Sequence, residues 1–580
     1  MIADPPNRFS RLLARLGFRP TWRAETLKDD LVAGITVSLV AIPQSLAYAQ
    51  LAGVPPYYGL YAALVPSVVG ALFGSSAQLS TGPVAMTSLL TAASVAPLAL
   101  RGTDPYVAYV VLLALISGVF QLAFGVMRLG LILNFLSHPV LMGFINAAAI
   151  IIGLSQLPTL LGISSRQSEH LLLDTWQVVS SLDLMHGLSL AFGLSAVAML
   201  IGFRRWAPRL PGVLITVALL IVVSRAVDYA GHGGRVVGDI PTGLPHFGFP
   251  HIDRNSVVTL LPASLVIALI SFMEAMSSAK VISIKTRVPW DENKELIGQG
   301  LAKIAAALSL TMPVSGSFSR SALNLAAGAR TAASSLVSAA AVLLTLLFLT
   351  PLLYHLPKPV LAAVITMAVV GLINLGALRR AWSASRDDGL CATVTFVATL
   401  AFAPNIQNGI AIGVLLSLGL LLYRMMRPRV AILGMHPDGT LRDASAHNLA
   451  PLHPRLSAVR FDGALRFMNV SFFEAAVLKV EQDQPDATCI LLTCGGINQI
   501  DASAVEMLML LVDRFRANGL TLVFSGIKKQ VREVMDRTGL TAHIGPDHIF
   551  ATDQQAVEAL LGRLGDSEPV PRAQPKPALP

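Results

Sequence analysis

The segment that decides the fold is Thr311–Asn324, which reads Thr-Met-Pro-Val-Ser-Gly-Ser-Phe-Ser-Arg-Ser-Ala-Leu-Asn. It is polar, it lies within a long hydrophobic region, and Pro313 and Gly316 both interrupt a helix there. Backbone groups that face lipid have no partner, so such an interruption is tolerated only inside the protein or beside water. We therefore predict an extended piece over Thr311–Ser315, followed by a helix that begins near Ser317.

The start of this helix predicts an anion site within the membrane. Free N–H groups and the positive end of the helix dipole attract negative charge, and Arg320, one turn into the helix, adds a full positive charge. A second interruption, Leu79–Thr87, has Gly82 as its predicted turn and Pro83 as its predicted first helical residue. One interrupted segment in each half indicates a transporter of inverted repeats with a midplane site. Two loops outside the bilayer are the alternative, since Gly-Pro is common loop material.

Composition places the chain among polytopic membrane proteins. Its 580 residues are 54% hydrophobic and 13% charged, with a mean hydropathy of +0.64, whereas soluble proteins average about 25% charged residues. The net charge of +9 comes from basic residues at the ends of apolar runs, which set membrane orientation and make no case for nucleic-acid binding. There is no Walker loop, and the three cysteines form no ligand pattern. We therefore predict no enzyme, cofactor or metal.

The hydrophobic region predicts fourteen spans of about 20 residues, or about half that length where interrupted. They are 31–50, 57–74, 82–99, 106–127, 137–157, 184–203, 211–228, 259–281, 295–311, 317–328, 331–351, 359–376, 389–404 and 407–425. The N-terminal segment is basic, with Arg8, Arg11, Arg15, Arg19, Arg23 and Lys28, and so are the loops predicted to be inside. The outside loops carry few basic residues, among them Arg235, Arg254 and Lys358. Both termini are therefore predicted to be cytoplasmic.

The predicted domains are a cytoplasmic segment (1–30), a transmembrane anion-transport domain (31–428), a small cytoplasmic α/β domain (429–562) and a disordered tail (563–580). The α/β domain is predicted from strands and helices that alternate along the chain. The strands are Leu465–Phe467, Cys489–Thr493 and Leu520–Ser525, and the helices are Ala502–Asn518 and Lys528–Thr538. The tail is predicted to be disordered because it is rich in proline and polar residues.

Polar residues in two further spans are candidates for the site. Gln44 and Tyr48 are four residues apart and share one helix face, where an uncharged amide can donate to an oxyanion; helix packing is the alternative role of Gln44. Glu274 lies within span 259–281, where a carboxylate is costly and indicates function. Its expected partner is Arg320, either in a structural ion pair or in a coupling mechanism. In the coupling hypothesis, protonation of Glu274 releases Arg320 for an anionic substrate.

Ser503 is a further candidate, because Asp501-Ala502-Ser503 lies between a strand and a helix of the α/β domain. We expect Ser503 to cap the helix. Phosphorylation is the alternative, since a helix N-terminus favours added negative charge.

The sequence resembles the sulfate permease (SulP) family along nearly its whole length. Residues 42–61, Ile-Pro-Gln-Ser-Leu-Ala-Tyr-Ala-Gln-Leu-Ala-Gly-Val-Pro-Pro-Tyr-Tyr-Gly-Leu-Tyr, resemble the signature of that family. Ser-Thr-Gly-Pro-Val-Ala (80–85) and Ser-Gly-Ser-Phe-Ser-Arg-Ser-Ala-Leu-Asn (315–324) are similar to its third and tenth spans. Residues 440–562, with Leu-Arg-Phe-Met-Asn (465–469) and Ile-Asp-Ala-Ser-Ala (500–504), resemble its STAS domain.

The resemblance implies an α-helical 7+7 inverted repeat with core and gate subdomains, an elevator-type motion and a homodimer. It also implies that the anion contacts the first span and the starts of the third and tenth helices. The implied contact residues are Gln44, Tyr48, Val84, Ala85, Ser317, Phe318, Ser319 and Arg320. Glu274 matches the acidic residue of proton-coupled sulfate carriers of the family, and Ser503 matches the phosphoacceptor serine of related anti-sigma antagonists.

We therefore predict a secondary-active inorganic anion transporter, a sulfate:proton symporter of a bacterial inner membrane. Its predicted partners are sulfate, protons, membrane lipid and a second copy of the chain. Bicarbonate or C4-dicarboxylate uptake is an alternative, with sodium coupled through oxygen ligands such as Ser277 and Ser278 beside Glu274. An anion sensor that binds without transport and signals through the STAS domain is the alternative from another class.

Overall fold

The computed structural model describes residues 24–130, 137–163, 171–207, 210–250, 252–403 and 405–565. The chain forms two compact units, Met1–Ser417 and Leu418–Pro580. Arg8 to Arg23 of the basic N-terminal segment, Arg209 and residues 566–580 of the predicted tail lie outside the described residues.

The first unit is helical because apolar segments in a membrane must pair their backbone groups internally. Its helices are α1 (Ala24–Ala52), α2 (Tyr57–Phe73), α3 (Ala85–Val95), α4 (Asp104–Val126), α5 (His138–Ser155), α6 (Leu157–Leu161), α7 (Leu171–Ser180), α8 (Gly187–Trp206), α9 (Gly212–Ala226), α10 (Arg254–Thr286), α11 (Glu292–Leu308), α12 (Phe318–Ala326), α13 (Ala333–Leu344), α14 (Thr350–Leu353), α15 (Lys358–Val370), α16 (Leu375–Ala384), α17 (Arg386–Ala401) and α18 (Ile406–Met426). Two short strands, β1 (Thr81–Gly82) and β2 (Ser315–Gly316), precede α3 and α12.

Each predicted span coincides with one of these helices. Among the described residues, eight helices are long and apolar enough to cross a membrane: α1, α4, α5 continued by α6, α8, α10, α13 continued to α14, α15 continued to α16, and α18. The apolar helices α2, α3 and α9 are shorter. The number of crossings stays a prediction. Helices α7 and α16 were not predicted.

The packing of the helices supports the predicted repeat. The contacts between helices come in corresponding pairs. The α1–α13 contact corresponds to the α10–α4 contact, α2–α13 corresponds to α11–α4, and α5–α17 corresponds to α15–α8. Two contacts correspond when each helix of one is replaced by the helix seven predicted spans away. A 7+7 repeat produces this correspondence, so the packing agrees with it.

Glycines allow the backbones of α4 and α11 to touch. A Cβ atom at Gly118 would lie 2.9 Å from the amide nitrogen of Ile304, and one at Gly300 would lie 2.6 Å from the amide nitrogen of Leu122. Real Cβ atoms do not approach backbone so closely. Small residues at such positions bring membrane helices close together, so these glycines define a tight contact within the membrane domain.

The second unit is a small α/β domain. Its elements after α18 are β3 (Arg429–Met435), β4 (Leu441–Asp443), α19 (Ala444–His447), β5 (Leu456–Asp462), α20 (Val470–Asp483), β6 (Cys489–Thr493), α21 (Ala502–Ala517), β7 (Thr521–Ser525), α22 (Lys529–Thr538), α23 (Leu540–Ile544), β8 (Ile549–Phe550) and α24 (Asp553–Leu564). The sheet order is β4-β3-β5-β6-β7-β8. Strand β3 is antiparallel to both neighbours, and β5 to β8 are parallel.

The predicted strands at 489–493 and 520–525 and helices at 502–518 and 528–538 are confirmed within one residue. The predicted strand Leu465–Phe467 is wrong, since Leu465 forms a single bridge with Ile500. The chain turns there because Asn469 accepts a hydrogen bond from the Arg466 amide at 2.9 Å and donates one to the Ala464 carbonyl at 2.9 Å.

Asp443 at the end of β4 generates a prediction about acid sensitivity. Its carboxylate accepts hydrogen bonds from Ser445 Oγ at 2.7 Å, the Ala446 amide at 3.1 Å and Arg429 Nη2 at 2.5 Å. These groups, Ser445 first, lower the pKa of Asp443 to about 2. The stability that this carboxylate contributes is therefore complete above the unfolded pKa of about 3.9. It is lost as the pH falls through the folded pKa.

We expect Asp443→Asn to reduce the loss of stability between about pH 4 and pH 2. The measurement is the fraction of the C-terminal unit that resists pepsin, an acid protease, across this range. Asp483→Asn at the exposed end of α20 is the matched control. An unchanged acid transition in Asp443→Asn contradicts the prediction.

Candidate functional site

The two interrupted segments meet as an antiparallel pair of strands. Thr81 of β1 lies opposite Gly316 of β2, Gly82 lies opposite Ser315, and the Ser317 amide donates to the Ser80 carbonyl at 2.8 Å. This pairing satisfies backbone groups that the interruptions remove from helices. The predicted helix start near Ser317 is confirmed. Of the segment predicted to be extended, Ser315 belongs to β2, and residues 311–314 form neither helix nor strand.

The prediction that Gly82 forms a turn and Pro83 begins the helix is wrong. Gly82 belongs to β1, and α3 begins at Ala85 after Val84. The physical reason is the pairing with Ser315, which holds the chain extended through Gly82. A pairing partner more than 200 residues away along the sequence is not visible in local turn statistics.

The strand pair places two helix starts next to each other. Val84 is the N-cap of α3, and its side chain makes no capping hydrogen bond. Ser317 is the N-cap of α12, and its hydroxyl accepts from the Arg320 amide at 3.4 Å. The Phe318 and Ser319 amides donate to no acceptor in the described part of the chain, and both residues are exposed. The start of α12 therefore offers N–H groups to an anion.

The Arg320 side chain turns inward behind these exposed residues and is 2% exposed. Its Nη1 donates to the Pro83 carbonyl at 2.9 Å, and its Nε lies 3.4 Å from Ser80 Oγ. Its Nη2 is buried without a hydrogen-bond partner among the described residues. Arg320 thus connects α12 to the residues before α3. Its Nη2 atom remains available to a further partner in the described part of the chain.

The space beside Arg320 is small. The narrow cavity there measures about 10 Å³ and is lined by Ala41, Ser45, Ala63, Ser67, Ser80, Thr81, Gly82, Ser335, Ser338 and Val342. A volume of this size holds about one water molecule, so a tetrahedral oxyanion does not fit there in this conformation. Gly82 leaves room for the guanidinium, since a Cβ atom at this position would lie 3.1 Å from Arg320 Nη2.

Tyr48 and Glu274 lie on the neighbouring helices α1 and α10. The Tyr48 side chain is buried, and the charges of both Arg320 and Glu274 act on its hydroxyl. Glu274 Oε2 and Arg320 Nη2 are each buried without a hydrogen-bond partner among the described residues. The predicted structural ion pair is therefore not made through these atoms, and the two charges interact through space.

Lys303 on α11 is a second buried cation near Glu274. Its Nζ donates to Gln121 Oε1 at 2.5 Å and to Ser271 Oγ, and its charge acts on Glu274. Lys303 was not among the residues predicted from the sequence. The rule that selected Glu274, an ionisable residue inside a predicted span, would have found it, because Lys303 lies in the middle of span 295–311.

Glu295, also not predicted, anchors the segment before β1. Its Oε2 accepts from the Ser75 amide at 2.7 Å and the Ser76 amide at 3.0 Å. Gln299, one turn along α11, donates to both Glu295 Oε1 at 3.0 Å and Thr81 Oγ1 at 2.9 Å. Helix α11 therefore positions β1 and, through it, the start of α3.

Gln44 faces a different space from the cavity beside Arg320. It lines a cavity of about 230 Å³ with Phe203 and Arg204 of α8 and Val364 of α15. Its Oε1 is buried without a hydrogen-bond partner among the described residues. Gln44 and Tyr48 share α1 as predicted, but the Gln44 cavity is bounded by α8, α9 and α15.

Ser503 does not cap its helix, so that prediction is wrong. Asp501 is the N-cap of α21, and its Oδ1 accepts from the Ala504 amide at 3.0 Å. Its Oδ2 accepts from the Phe467 amide at 2.8 Å, which fixes the carboxylate at the helix start. Ser503 is exposed in the first turn, and its phosphorylation stays a prediction.

Paired interrupted helices in an apolar unit, joined to a separate α/β unit, define a multi-pass membrane transporter. The sulfate permease family model matches residues 27–395, and the STAS domain model matches residues 449–556. The chain belongs to the sulfate permease family, a family of transporters and not of enzymes.

Known proteins with similar sequences or folds agree with this assignment. The chain is 34% identical over 553 residues to a protein of Arabidopsis thaliana named probable sulfate transporter 4.2, covering 92% of this chain and 81% of that protein. It is 32% identical over 539 residues to a probable sulfate transporter of Mycobacterium tuberculosis, covering 93% and 96%. Its fold is similar to that of the murine Slc26a9 anion transporter in the inward-facing state, with a TM-score of 0.86, 20% identity and coverage of 96% and 95%.

The contact between Gly82 and Arg320 generates a second prediction. A methyl group at 3.1 Å from Nη2 displaces the guanidinium and strains its bond to Pro83, at a cost of about 1–3 kcal/mol for an overpacked site. We expect Gly82→Ala to reduce sulfate uptake into proteoliposomes about tenfold or more. Gly153→Ala on α5, where an added Cβ meets nothing within 4 Å, is the control. Equal uptake by the two variants contradicts the prediction.

Proposed function

We propose that the chain is a sulfate:proton symporter that works by elevator-type alternating access. The observation that carries the proposal is the set of three ionisable side chains around the paired helix starts, the buried Arg320 and Lys303 and the partly buried Glu274. Family membership and the names of the relatives support sulfate as the anion. The charges of the site support the coupling to protons.

The anion is proposed to bind at the exposed start of α12, next to Tyr48 and the start of α3. Phe318 and Ser319 offer free N–H groups there, and the helix dipoles of α3 and α12 add positive potential. Arg320 lies behind this surface, since its guanidinium bonds to Pro83 and Ser80. Arg320 therefore contributes chiefly charge in this conformation.

The coupling follows from the number of charges. With Arg320 and Lys303 protonated and Glu274 ionised, the three side chains carry a net charge of +1. Protonation of Glu274 raises it to +2, the charge that neutralises a sulfate dianion. Burial makes an uncompensated charge expensive, so the proton and the dianion favour each other's binding. This charge balance favours sulfate over a monovalent anion such as bicarbonate.

The proposed motion divides the membrane domain into a core of α1–α4 and α10–α13 and a gate of α5–α9 and α15–α18. Helix α1, which carries Gln44 and Tyr48, packs against gate helices α9 and α15. The site residues lie in the core, and the Gln44 cavity lies between core and gate. Movement of the core along this boundary would carry the site from one side to the other.

Sodium-coupled transport of bicarbonate or a C4-dicarboxylate is less well supported. Ser278 Oγ donates to the Glu274 carbonyl of its own helix at 3.0 Å, and Ser277 is exposed. These two serines therefore do not converge with the Glu274 carboxylate as a sodium site requires. The anion sensor is distinguished by radiolabelled sulfate flux into proteoliposomes, since a sensor binds without flux.

We also propose the domain bounds, oligomeric state, location and topology that the sequence predicts. The domains are residues 1–30, 31–428, 429–562 and 563–580, the protein is a homodimer among the lipids of a bacterial inner membrane, and both termini are cytoplasmic. The basic residues of the loops predicted to be inside support this orientation.

The Glu274 carboxylate generates a third prediction. We expect Glu274→Gln, which cannot release a proton, to lose sulfate accumulation driven by a pH gradient while it keeps sulfate:sulfate exchange. The measurement is radiolabelled sulfate uptake into proteoliposomes, with pH and sodium gradients imposed separately. Glu506→Gln, on the exposed face of α21, is the control. Full proton-driven accumulation by Glu274→Gln eliminates this coupling mechanism.

Lys303 generates a fourth prediction, about anion selectivity. Lys303→Gln limits the net charge of the three positions to +1 even when Glu274 is protonated. We expect competition by monovalent anions for transport to increase relative to sulfate by about tenfold, because one buried charge is removed. Inhibition of sulfate flux by a panel of anions measures this ratio. An unchanged order of inhibition in a variant that still transports contradicts the charge balance.

A further inference from the structure

A short amphipathic helix lies between α15 and α17. Helix α16, Leu375–Ala384, reads Leu-Gly-Ala-Leu-Arg-Arg-Ala-Trp-Ser-Ala. Leu375 and Trp382 are seven positions apart and share one side of the helix. Arg379 borders that side, and Arg380 lies farther round the helix. This arrangement is typical of a helix that lies along a membrane surface and not across it.

The length of the apolar stretch that contains α16 supports this orientation. Lys358–Ala384 has 27 residues, whereas about 20 are enough to cross the hydrocarbon of a bilayer. Helix α15 ends at Val370, and α16 begins only after Asn374, whose Oδ1 accepts from the Ala377 amide at 3.1 Å. The exposed arginines of α16 would also be costly inside hydrocarbon. We therefore place α16 where this stretch leaves the membrane.

The membrane domain holds α16 at both ends. Helix α16 packs against α5 and α17. At its start, the Asn374 amide donates to Asn146 Oδ1 of α5 at 2.6 Å. Near its end, Trp382 Nε1 donates to Thr393 Oγ1 of α17 at 2.9 Å. The Trp382 ring also covers Gly389 of α17, where an added Cβ atom would collide with it. The orientation of α16 against its neighbours is therefore fixed.

The apolar side of α16 continues a larger apolar surface. Exposed apolar side chains run from the end of α15, through the connection, into α16. They are Val370, Leu372, Ile373, Leu375 and Trp382. The chain is a membrane transporter, and an exposed apolar surface that adjoins the spans of such a protein faces lipid. We therefore expect acyl chains to contact this side of α16.

Exposed arginines lie beside this apolar surface. Arg379 and Arg380 belong to α16, and Arg386 begins α17. The three form no ion pair within the described part of the chain. Asp387 and Asp388 follow in the first turn of α17, where the helix dipole favours carboxylates. Apolar side chains bordered by cations are complementary to a phospholipid with a negatively charged headgroup.

Charge and packing both place this surface on the predicted inner face. The connection from α15 to α17 is one of the basic loops predicted to be inside. Arg204, near the end of α8, belongs to another of these loops, and it lines the same cavity as Met367 and Ala368 near the end of α15. The ends of α8 and α15 are therefore close together, as the prediction requires.

We propose that α16 and residues 370–373 before it form a surface that binds anionic phospholipids of the inner leaflet. Leu375 and Trp382 contact the start of the acyl chains, and Arg379 and Arg380 donate to the phosphate oxygens of the headgroups. Its role in transport rests on the proposed function. Helix α16 belongs to the proposed gate, and headgroup binding would hold the gate at a fixed depth while the core moves.

Fluorescence quenching by brominated lipids provides the first test and needs no transport. Leu375→Cys places a thiol for a bimane label on the apolar side of α16, and the native cysteines Cys391, Cys489 and Cys494 are buried. We expect brominated phosphatidylglycerol to quench this label with a binding constant about fivefold or more above that of brominated phosphatidylcholine. A factor of about five is the effect of one basic residue at an anionic lipid surface.

The charges are tested by adding Arg379→Gln and Arg380→Gln to the labelled variant, which should remove the preference between the two lipids. Arg537→Gln, on the exposed side of α22, is the matched control for loss of a charge. Leu219→Cys, on the exposed apolar side of α9, is the control label and should be quenched equally by both lipids.

Two results overturn the proposal. One is equal quenching of the Leu375→Cys label by the two lipids, which shows that the arginines select no headgroup. The other is the absence of quenching, which shows that protein covers this side of α16. A disulfide between two copies of Leu375→Cys would then identify a second copy of the chain as the occupant.

Sulfate uptake provides the second test. We expect the unchanged chain to take up sulfate about fivefold faster in liposomes that contain phosphatidylglycerol than in phosphatidylcholine alone. The Arg379→Gln, Arg380→Gln double variant should lose this dependence on lipid and keep its KM for sulfate, because α16 is proposed to bind no sulfate. An unchanged dependence on lipid in the double variant overturns the role of α16 in transport.

The two tests separate this proposal from the proposed function. Headgroup-selective quenching without any sulfate flux refutes sulfate transport and supports the lipid surface. Normal sulfate flux with equal quenching by the two lipids overturns the lipid surface and leaves transport standing.

Discussion

The antiparallel pairing of β1 with β2 is the constraint on which the membrane domain depends. Two helices are interrupted inside an apolar unit, and their free backbone groups must find partners there. The strand pair supplies some of these bonds, and Ser67 supplies another by donating to the Thr81 carbonyl at 2.7 Å. Ser315 of β2 donates to the Ser271 carbonyl at 2.7 Å and so ties the strand pair to α10. The same pairing orders the starts of α3 and α12, so one feature serves both the stability of the fold and the proposed recognition of the anion.

The buried charges of the domain are stabilised in different ways. Glu295 accepts several hydrogen bonds and fixes the segment before β1. Lys303 is held by Gln121 and Ser271. Arg320 and Glu274 are less completely satisfied, since each keeps a buried polar atom without a partner among the described residues. Incomplete satisfaction is costly in a low dielectric, and among the ionisable side chains in the described part of the membrane domain it occurs at the two residues proposed to respond to the substrate and the proton.

Much of the architecture could be predicted from the sequence, because long apolar runs and their interruptions are local signals. The helix start at Ser317 and the strand Cys489–Thr493 belong to this group. Features set by distant partners could not be predicted. Gly82 is extended because it pairs with Ser315, and Leu465 leaves the sheet because Asn469 turns the chain.

The candidate site was predicted less completely than the fold. The sequence identified Arg320, Glu274 and Tyr48, which the structure brings close together in one charged environment. It could not show that Arg320 points behind the helix start or that Gln44 faces another cavity, because side-chain direction depends on tertiary packing. Lys303, by contrast, could have been predicted, since a lysine inside an apolar span is visible in the sequence. In the STAS domain, Ser503 was predicted to be the N-cap of α21, although Asp501, two residues earlier, is equally suited to capping.

The tight contact between α4 and α11 through Gly118 and Gly300 has a mechanical consequence. The two backbones are in close contact at these positions, so rotation or sliding of either helix would break the contact between them. The two helices therefore behave as one rigid unit, which includes Lys303 on α11. In the proposed alternating-access motion, deformation would then be confined to the connections between helices, and the Lys303 ammonium group would move together with α4 and α11.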